Sequence, residues 1–246
     1  MWIYVCGDQE RSYYLREEAI ARGHRITCPR DAQVVVLPLP RSQVSVELKQ
    51  ELGKGTVLVC GMTDDAFRRE AMDRGWATVH IYDDEKYQLE NAEDSAEGAV
   101  YALMREAPFA LNGKSALVVG YGRLGKALKN KLESMGVKVT VAARDPIKRL
   151  EAGEGTMDIG EAMEKIGIFD MVVNTAPAQI IGKTALQNIK KGALLMDTAS
   201  APYGFNLEEA KHMRIHAWRE NGIPGMYCPK TAAKHLMDLM ERRCVL

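Results

Sequence analysis

The chain has 246 residues, 33 Lys plus Arg against 33 Asp plus Glu, and 46% hydrophobic residues. A formal charge of zero carries no footprint for duplex nucleic acid or an anionic membrane. No apolar run approaches the ~20 residues of a membrane helix, and residues 2–6 lack the basic leader of a signal peptide. A cytoplasmic globular protein with no nucleic-acid or membrane partner is the expectation. The cysteines Cys6, Cys28, Cys60, Cys228 and Cys244 are odd in number and far apart, so no disulfide framework and no metal site are expected. Most of them read as buried small hydrophobes.

In chain order, Val- and Ile-rich runs alternate with helical runs, the pattern of parallel α/β sheets. Residues 2–6 predict a strand, 11–22 a helix ended by Gly23, 33–37 a strand stopped by Pro38, and 42–52 a helix ended by Gly53. A strand at 56–60, a helix at 64–74 closed by Gly75 and a strand at 77–82 follow. Glycine after each helix is the expected exit from α geometry. An acidic helix between Asp83 and Glu106 sets Ala92, Ala96, Ala99, Val100 and Leu103 on one face. It reads as a linker between two lobes. Beyond it come a strand at 115–119, a helix at 123–135 and strands at 137–141, 171–173, 193–196 and 215–217. A last helix spans 229–242 with Pro229 in its first turn. The expected fold is therefore α/β with two parallel-sheet lobes: a flavodoxin-like lobe over 1–90, a linker helix over 91–110, a Rossmann domain over 111–228 and a C-terminal helix over 229–246.

The strongest motif is Gly120-Tyr121-Gly122-Arg123-Leu124-Gly125, a Gly-x-Gly-x-x-Gly between an apolar strand and a helix. Gly120 serves the tight turn, Gly122 lets backbone approach a pyrophosphate, and Gly125 lets the helix pack on the sheet. The helix start then offers free N–H groups to phosphates. A dinucleotide site uses the end of the next strand to choose its cofactor: Asp or Glu binds the ribose of NAD, and Arg accommodates the extra phosphate of NADP. Ala142-Ala143-Arg144 stands there, followed by Lys148 and Arg149. This favours NADP, with NAD as the alternative, and Asp145 opposes it unless its side chain turns away. Asn174-Thr175-Ala176-Pro177 and Asp197-Thr198-Ala199-Ser200 follow later strands, at the edge where ligands of open α/β sheets bind. Either they line the nicotinamide side of the pocket, or they are turns that satisfy backbone groups. Asn174, Asp197 and Lys230 are the catalytic candidates. Lys230 opposes the dipole of its own helix, which hints at use on an anionic substrate; a solvated lysine is the plain alternative. Arg41, at a strand end of the first lobe, is the best-placed cation for a substrate carboxylate. The histidines are scattered, and only His235, one turn beyond Lys230, is a candidate proton carrier.

These motifs resemble those of the A subunit of dipicolinate synthase. The resemblance is carried by Gly7 to Arg11, Glu97-Gly98, Gly120 to Gly125, Ala143-Arg144, Asn174 to Pro177, Asp197 to Pro202, Gly222-Ile223-Pro224-Gly225 and Pro229 to Ala232. It implies an NADP-linked oxidoreductase that converts a cyclic dihydro- or hydroxytetrahydrodipicolinate to dipicolinate for endospores, alongside a flavoprotein-like B subunit. It further implies cofactor contacts from Gly120, Gly122, Arg123, Leu124, Gly125, Ala143, Arg144, Asn174, Thr175, Ala176 and Ser200. The expected substrate contacts are Arg41, from its place at a strand end, with Glu97, Ser200 and Lys230. The departures are a shortened first lobe, Pro202-Tyr203-Gly204-Phe205-Asn206 in place of the family's glycine-rich turn, and Asp145-Pro146 where small hydroxyl residues are usual. They keep open a partner or regulatory subunit without catalysis, or a dehydrogenase of another small carboxylate. A homo-oligomer is compatible with the sequence.

Overall fold

A computed structural model describes residues 1–244. The chain divides into two units, Met1–Asp94 together with the segment from Pro224 onward, and Ser95–Ile223. The first contains β1 (Trp2–Val5), α1 (Glu10–Ala21), β2 (Arg25–Ile26), β3 (Val34–Val36), α2 (Val46–Glu51), β4 (Val57–Cys60), α3 (Asp65–Arg74) and β5 (Ala77–His80). Its strands form a five-stranded sheet in the order β2-β1-β3-β4-β5, every pairing parallel. That is the flavodoxin-like order. Because successive strand residues alternate faces, Val34 and Val36 enter one core cluster with Ile3 and Leu15. Val35 and Leu37 enter another with Leu58 and Trp76.

α4 (Glu85–Glu106) runs from the first unit into the second. The second unit continues with β6 (Ser115–Val119), α5 (Arg123–Ser134), β7 (Lys138–Ala142), α6 (Pro146–Ala152), β8 (Thr156–Met157), α7 (Ile159–Glu164) and β9 (Met171–Asn174). It closes with α8 (Lys183–Gln187), β10 (Leu194–Asp197), α9 (Leu207–His212) and β11 (His216–Arg219). The six strands are parallel and ordered β11-β10-β9-β6-β7-β8, the Rossmann order. α10 (Ile223–Tyr227) and α11 (Pro229–Arg243) end the described chain, and residues 245–246 of the expected C-terminal segment lie outside it.

Several elements differ from the sequence pattern. The helix expected over 42–52 is only Val46–Glu51, because Ser45 caps it through an Oγ that accepts from the Leu48 amide at 3.2 Å. Ser42 is buried in the preceding loop, where its hydroxyl donates to Pro38 O at 2.7 Å and accepts from the Gly61 amide at 2.9 Å. α3 ends on left-handed Gly75 as the pattern predicts, whereas α2 ends on extended Leu52. α11 packs on α1 and places Leu236, Met237 and Met240 in the core of the first unit. Arg22 joins the two helices, donating to Glu18, Asp238 and Glu241 at 2.7, 2.6 and 2.8 Å. Of the cysteines only Cys60 and Cys244 are buried, while Cys28 is exposed, so the expectation of mostly buried thiols is corrected.

Candidate functional site

The glycine turn between β6 and α5 shows three different reasons for glycine. Gly120 has φ +101°, the left-handed side favourable only to glycine, and a Cβ there would lie 2.7 Å from Thr175 Oγ1. A Cβ on Gly125 would lie 2.3 Å from the Gly120 carbonyl oxygen, so its glycine lets helix and turn meet. Gly122 has an ordinary φ of −84°, and a Cβ there would meet nothing within 4 Å. Neither the backbone nor the packing of this unit requires glycine at 122. The open space lies at the N-cap of α5, which has no side-chain cap and no acidic residue in its first turn. Uncapped amides beside an open approach fit a pyrophosphate.

At the end of β7, Ala143 is buried and Arg144 exposed. Asp145 turns away from this corner: its carboxylate caps α6 by accepting from the Ile147 amide at 2.9 Å. Arg149 is held by the backbone, donating to the Ala143 and Arg144 carbonyls at 2.6 and 3.1 Å. Arg144 and Lys148 are thus the cations left exposed just beyond the end of β7.

The carboxyl ends of β6, β9 and β10 are tied together by side chains in register, with Val119 beside Asn174 and Asn174 beside Asp197. Asn174 Nδ2 donates to Asp197 Oδ1 at 2.8 Å and to the Ala176 carbonyl at 2.9 Å. Asp197 also accepts from the amides of Ala199 and Gly204 at 3.1 and 2.8 Å. Thr175 Oγ1 donates to Val119 O at 3.0 Å and Thr198 Oγ1 to Asn174 O at 2.8 Å. Both Asn174 and Asp197 are fully buried. These two catalytic candidates therefore hold the loops that border the dinucleotide position and present no free polar atom to a ligand. Ser200 is exposed on the loop that Asp197 anchors. On the same loop Tyr203 adopts φ +67°, a strained conformation for a non-glycine residue, and Arg219 stacks 3.9 Å from its ring centroid.

The other candidates make no hydrogen bond within this network. Glu97 is largely exposed on α4, 3.8 Å from Lys131 of α5. Arg41 is an exposed residue bridged to Met62, and Lys230 is exposed in the first turn of α11; both belong to the first unit. His235 pairs with Asp94 at 3.1 Å. Cys60 Sγ lies 3.4 Å from His80 Nδ1, but burial pushes the thiol up to about 12, so the pair is no activated nucleophile. Among the described residues no group of three or more His, Cys, Asp or Glu could hold a metal ion, and no helix is long and apolar enough to cross a membrane. Sequence reasoning gave Arg11 of α1 no role of its own; the fold makes it a lining residue of a cavity in the first unit.

A profile of the family "S-adenosyl-L-homocysteine hydrolase, NAD binding domain" matches residues 94–218. The A subunit of dipicolinate synthase from Bacillus subtilis (strain 168) is 25% identical over 189 residues, 76% of this chain and 64% of that protein. The adenosylhomocysteinase of Saccharolobus solfataricus is 29% identical over 210 residues, 82% of this chain and 48% of the enzyme. The chain thus spans less than two thirds of the length of either relative. The crystal structure of the A subunit of dipicolinate synthase from Bacillus halodurans superposes with a TM-score of 0.85 at 19% identity, covering 98% of this chain and 96% of that one. The resemblance to this dipicolinate synthase component read from the motifs is confirmed, as is the architecture of two parallel-sheet lobes. Because the profile covers half of the sequence, around a glycine turn with the geometry of a pyrophosphate cradle, the chain belongs to the family of the S-adenosyl-L-homocysteine hydrolase NAD-binding domain.

Proposed function

We propose that this protein is an NADP-dependent oxidoreductase that oxidises a cyclic dihydro- or hydroxytetrahydrodipicolinate to dipicolinate. The observation that carries the reading is Gly122, a glycine that the protein's own packing does not need, at the uncapped start of α5. The similarity to the A subunit of dipicolinate synthase supports the substrate, and exposed Arg144 after buried Ala143 supports NADP over NAD. When bound, the nicotinamide supplies the hydride acceptor. The protein's share is orientation. Gly120 to Gly125 bind the pyrophosphate, Arg144 meets the 2′-phosphate, and the Asn174–Asp197 pair keeps Thr175, Ala176 and Ser200 at the nicotinamide side. Oxidation removes a hydride and a proton from the dihydro ring, a hydroxytetrahydro substrate first losing water to reach it, and Lys230 is the proposed group for the proton. Arg41 and Glu97 are proposed on the substrate side, and the proposed cytoplasmic partner is a flavoprotein-like B subunit.

A second reading, a dinucleotide-binding subunit without turnover, is favoured by the Asn174 and Asp197 side chains being consumed by internal bonds. One assay separates the two. The purified chain is titrated with NADPH and NADH, then mixed with NADP, enzymatically generated dihydrodipicolinate and the flavoprotein-like partner while the ultraviolet absorbance of dipicolinate is followed. Product formation that depends on this chain and on NADP supports the oxidoreductase. Tight cofactor binding with no product leaves the non-catalytic reading, and no cofactor binding removes both.

A further inference from the structure

In the order β2-β1-β3-β4-β5 the winding reverses between β1 and β3. At such a point the connections on either side leave toward opposite faces of the sheet, and a crevice opens outside the carboxyl ends of the two strands. In the first unit this crevice is a cavity of about 40 Å³, lined by the ends of β1 and β3, by Leu15 and Leu236, and by Arg11 and Ser12. The dinucleotide turn belongs to the other unit, and none of its residues lines this cavity.

Its chemistry is that of a single cation among apolar side chains and the neutral polar groups of Gln9 and Ser12. Arg11 is the one charged residue among those lining the cavity. It is half-buried, and no described residue gives it a hydrogen bond or an ion pair. Gly225 of α10 lies beside it: a Cβ there would stand 3.6 Å from the guanidinium carbon, in ordinary van der Waals contact. Its electrostatic neighbours are the Tyr82 and Tyr87 phenols, with no carboxylate of the described residues paired to it, so a ligand's negative charge would offset the cost of holding a half-buried cation.

The neighbouring backbone is arranged so that it does not oppose an anion. The carbonyls after β1 would repel one, but each is engaged by a donor of the protein. Arg16 Nη2 donates to Val5 O at 2.8 Å and to Gly7 O at 2.6 Å, and Ser12 Oγ donates to Cys6 O at 3.2 Å. The same bonds fix the turn, so the wall is formed before any ligand arrives. The cavity, at about 40 Å³, has room for a small polar group such as one carboxylate.

We propose that this cavity binds one carboxylate of a small organic acid, with Arg11 as its counter-charge and specificity-determining residue. The assignment rests on the oxidoreductase reading only in taking that acid to be the substrate. Its test uses the full chain and calorimetric titration with pyridine-2,6-dicarboxylate and its uncharged analogue pyridine-2,6-dicarboxamide, beside a separate NADPH titration. The dicarboxylate is expected to bind at least tenfold more tightly than the dicarboxamide. Arg11→Gln should remove that preference, and Arg11→Lys should retain part of it. NADPH affinity should stay within twofold in both variants. Because Arg11 makes no hydrogen bond or ion pair with a described residue, Arg11→Leu should keep or raise the melting temperature while losing the dicarboxylate. A structural role would instead lower the melting temperature. Equal binding of the two compounds by the wild type, no binding of the dicarboxylate, or full affinity in Arg11→Gln would overturn the assignment. Loss of NADPH binding alone, with the dicarboxylate preference intact, would refute the oxidoreductase reading and uphold the cavity.

Discussion

Gly122 and Gly125 stand three residues apart in one motif, yet substitutions there should fail in opposite ways. In Gly125→Ala the new methyl would sit 2.3 Å from the Gly120 carbonyl oxygen, and neither partner is the end of a flexible side chain. Turn and helix must separate, at about 1–3 kcal/mol for overpacking. In Gly122→Val the Cβ meets no atom within 4 Å and φ is −84°, so the folded protein should lose only about 1 kcal/mol or less from the poorer N-cap residue. The cost appears on binding. A branched side chain would fill the space through which a pyrophosphate reaches the α5 amides, and loss of two charge-assisted hydrogen bonds at roughly 1.5–3 kcal/mol each weakens the cofactor roughly a hundredfold or more. Thermal melts paired with titration of NADPH fluorescence measure both terms for both variants. A folded Gly122→Val protein with wild-type affinity would refute the argument, as would a Gly125→Ala protein as stable as the parent.

Three further substitutions probe the surroundings. Arg144→Ala should weaken NADPH by about 1.5–3 kcal/mol and leave NADH nearly unchanged in parallel titrations; equal losses for the two cofactors would show that Arg144 does not read the 2′-phosphate. Asp197→Ala strands the Asn174 amide and the Ala199 and Gly204 N–H groups in a buried site. At about 1–3 kcal/mol for each orphaned group, a denaturant midpoint near the wild-type value would contradict its role in holding the loops. Lys190, with the Ser115 amide and hydroxyl, holds the Asp170 carboxyl down to about 2 against 3.8 unfolded. Its stabilising contribution is then complete above about pH 4 and disappears as pH falls through about 2. Melting curves of wild type and Asp170→Asn should accordingly differ at pH 7 and converge toward pH 2, and a gap that persists in acid would show another origin.

The features legible in the chain itself were those whose causes are local. Buried parallel strands announce themselves as short Val-rich runs, and helices by spacing and terminal glycine. The dinucleotide turn is six consecutive residues whose surroundings are the strand before it and the helix after it. The resemblance to dipicolinate synthase rested on such runs. Helices of five to seven residues such as α6, α7, α8 and α9 carried no comparable signal. Segments that short do not hold helical geometry alone, and α6, α7 and α9 begin on Asp145, Asp158 and Asn206 caps within a folded lobe.

Tertiary structure decided everything that depends on residues far apart in the chain. α11 closes the core of the first unit through Arg22, which reaches Asp238 across 216 positions and leaves no periodic trace in either helix. Asp197 looked as available for catalysis as for a turn until the register of β9 with β10 set it beside Asn174. Asp145, a repulsive neighbour for a phosphate when read as a charge, became a helix cap once its side-chain direction was known. Arg11 was one arginine among many in a polar helix until the order of the strands put the crevice of the first unit beside it. Spacing along a chain records which face of an element a side chain occupies; what that face meets is set by how the elements assemble, and the chemistry of a site depends on the meeting.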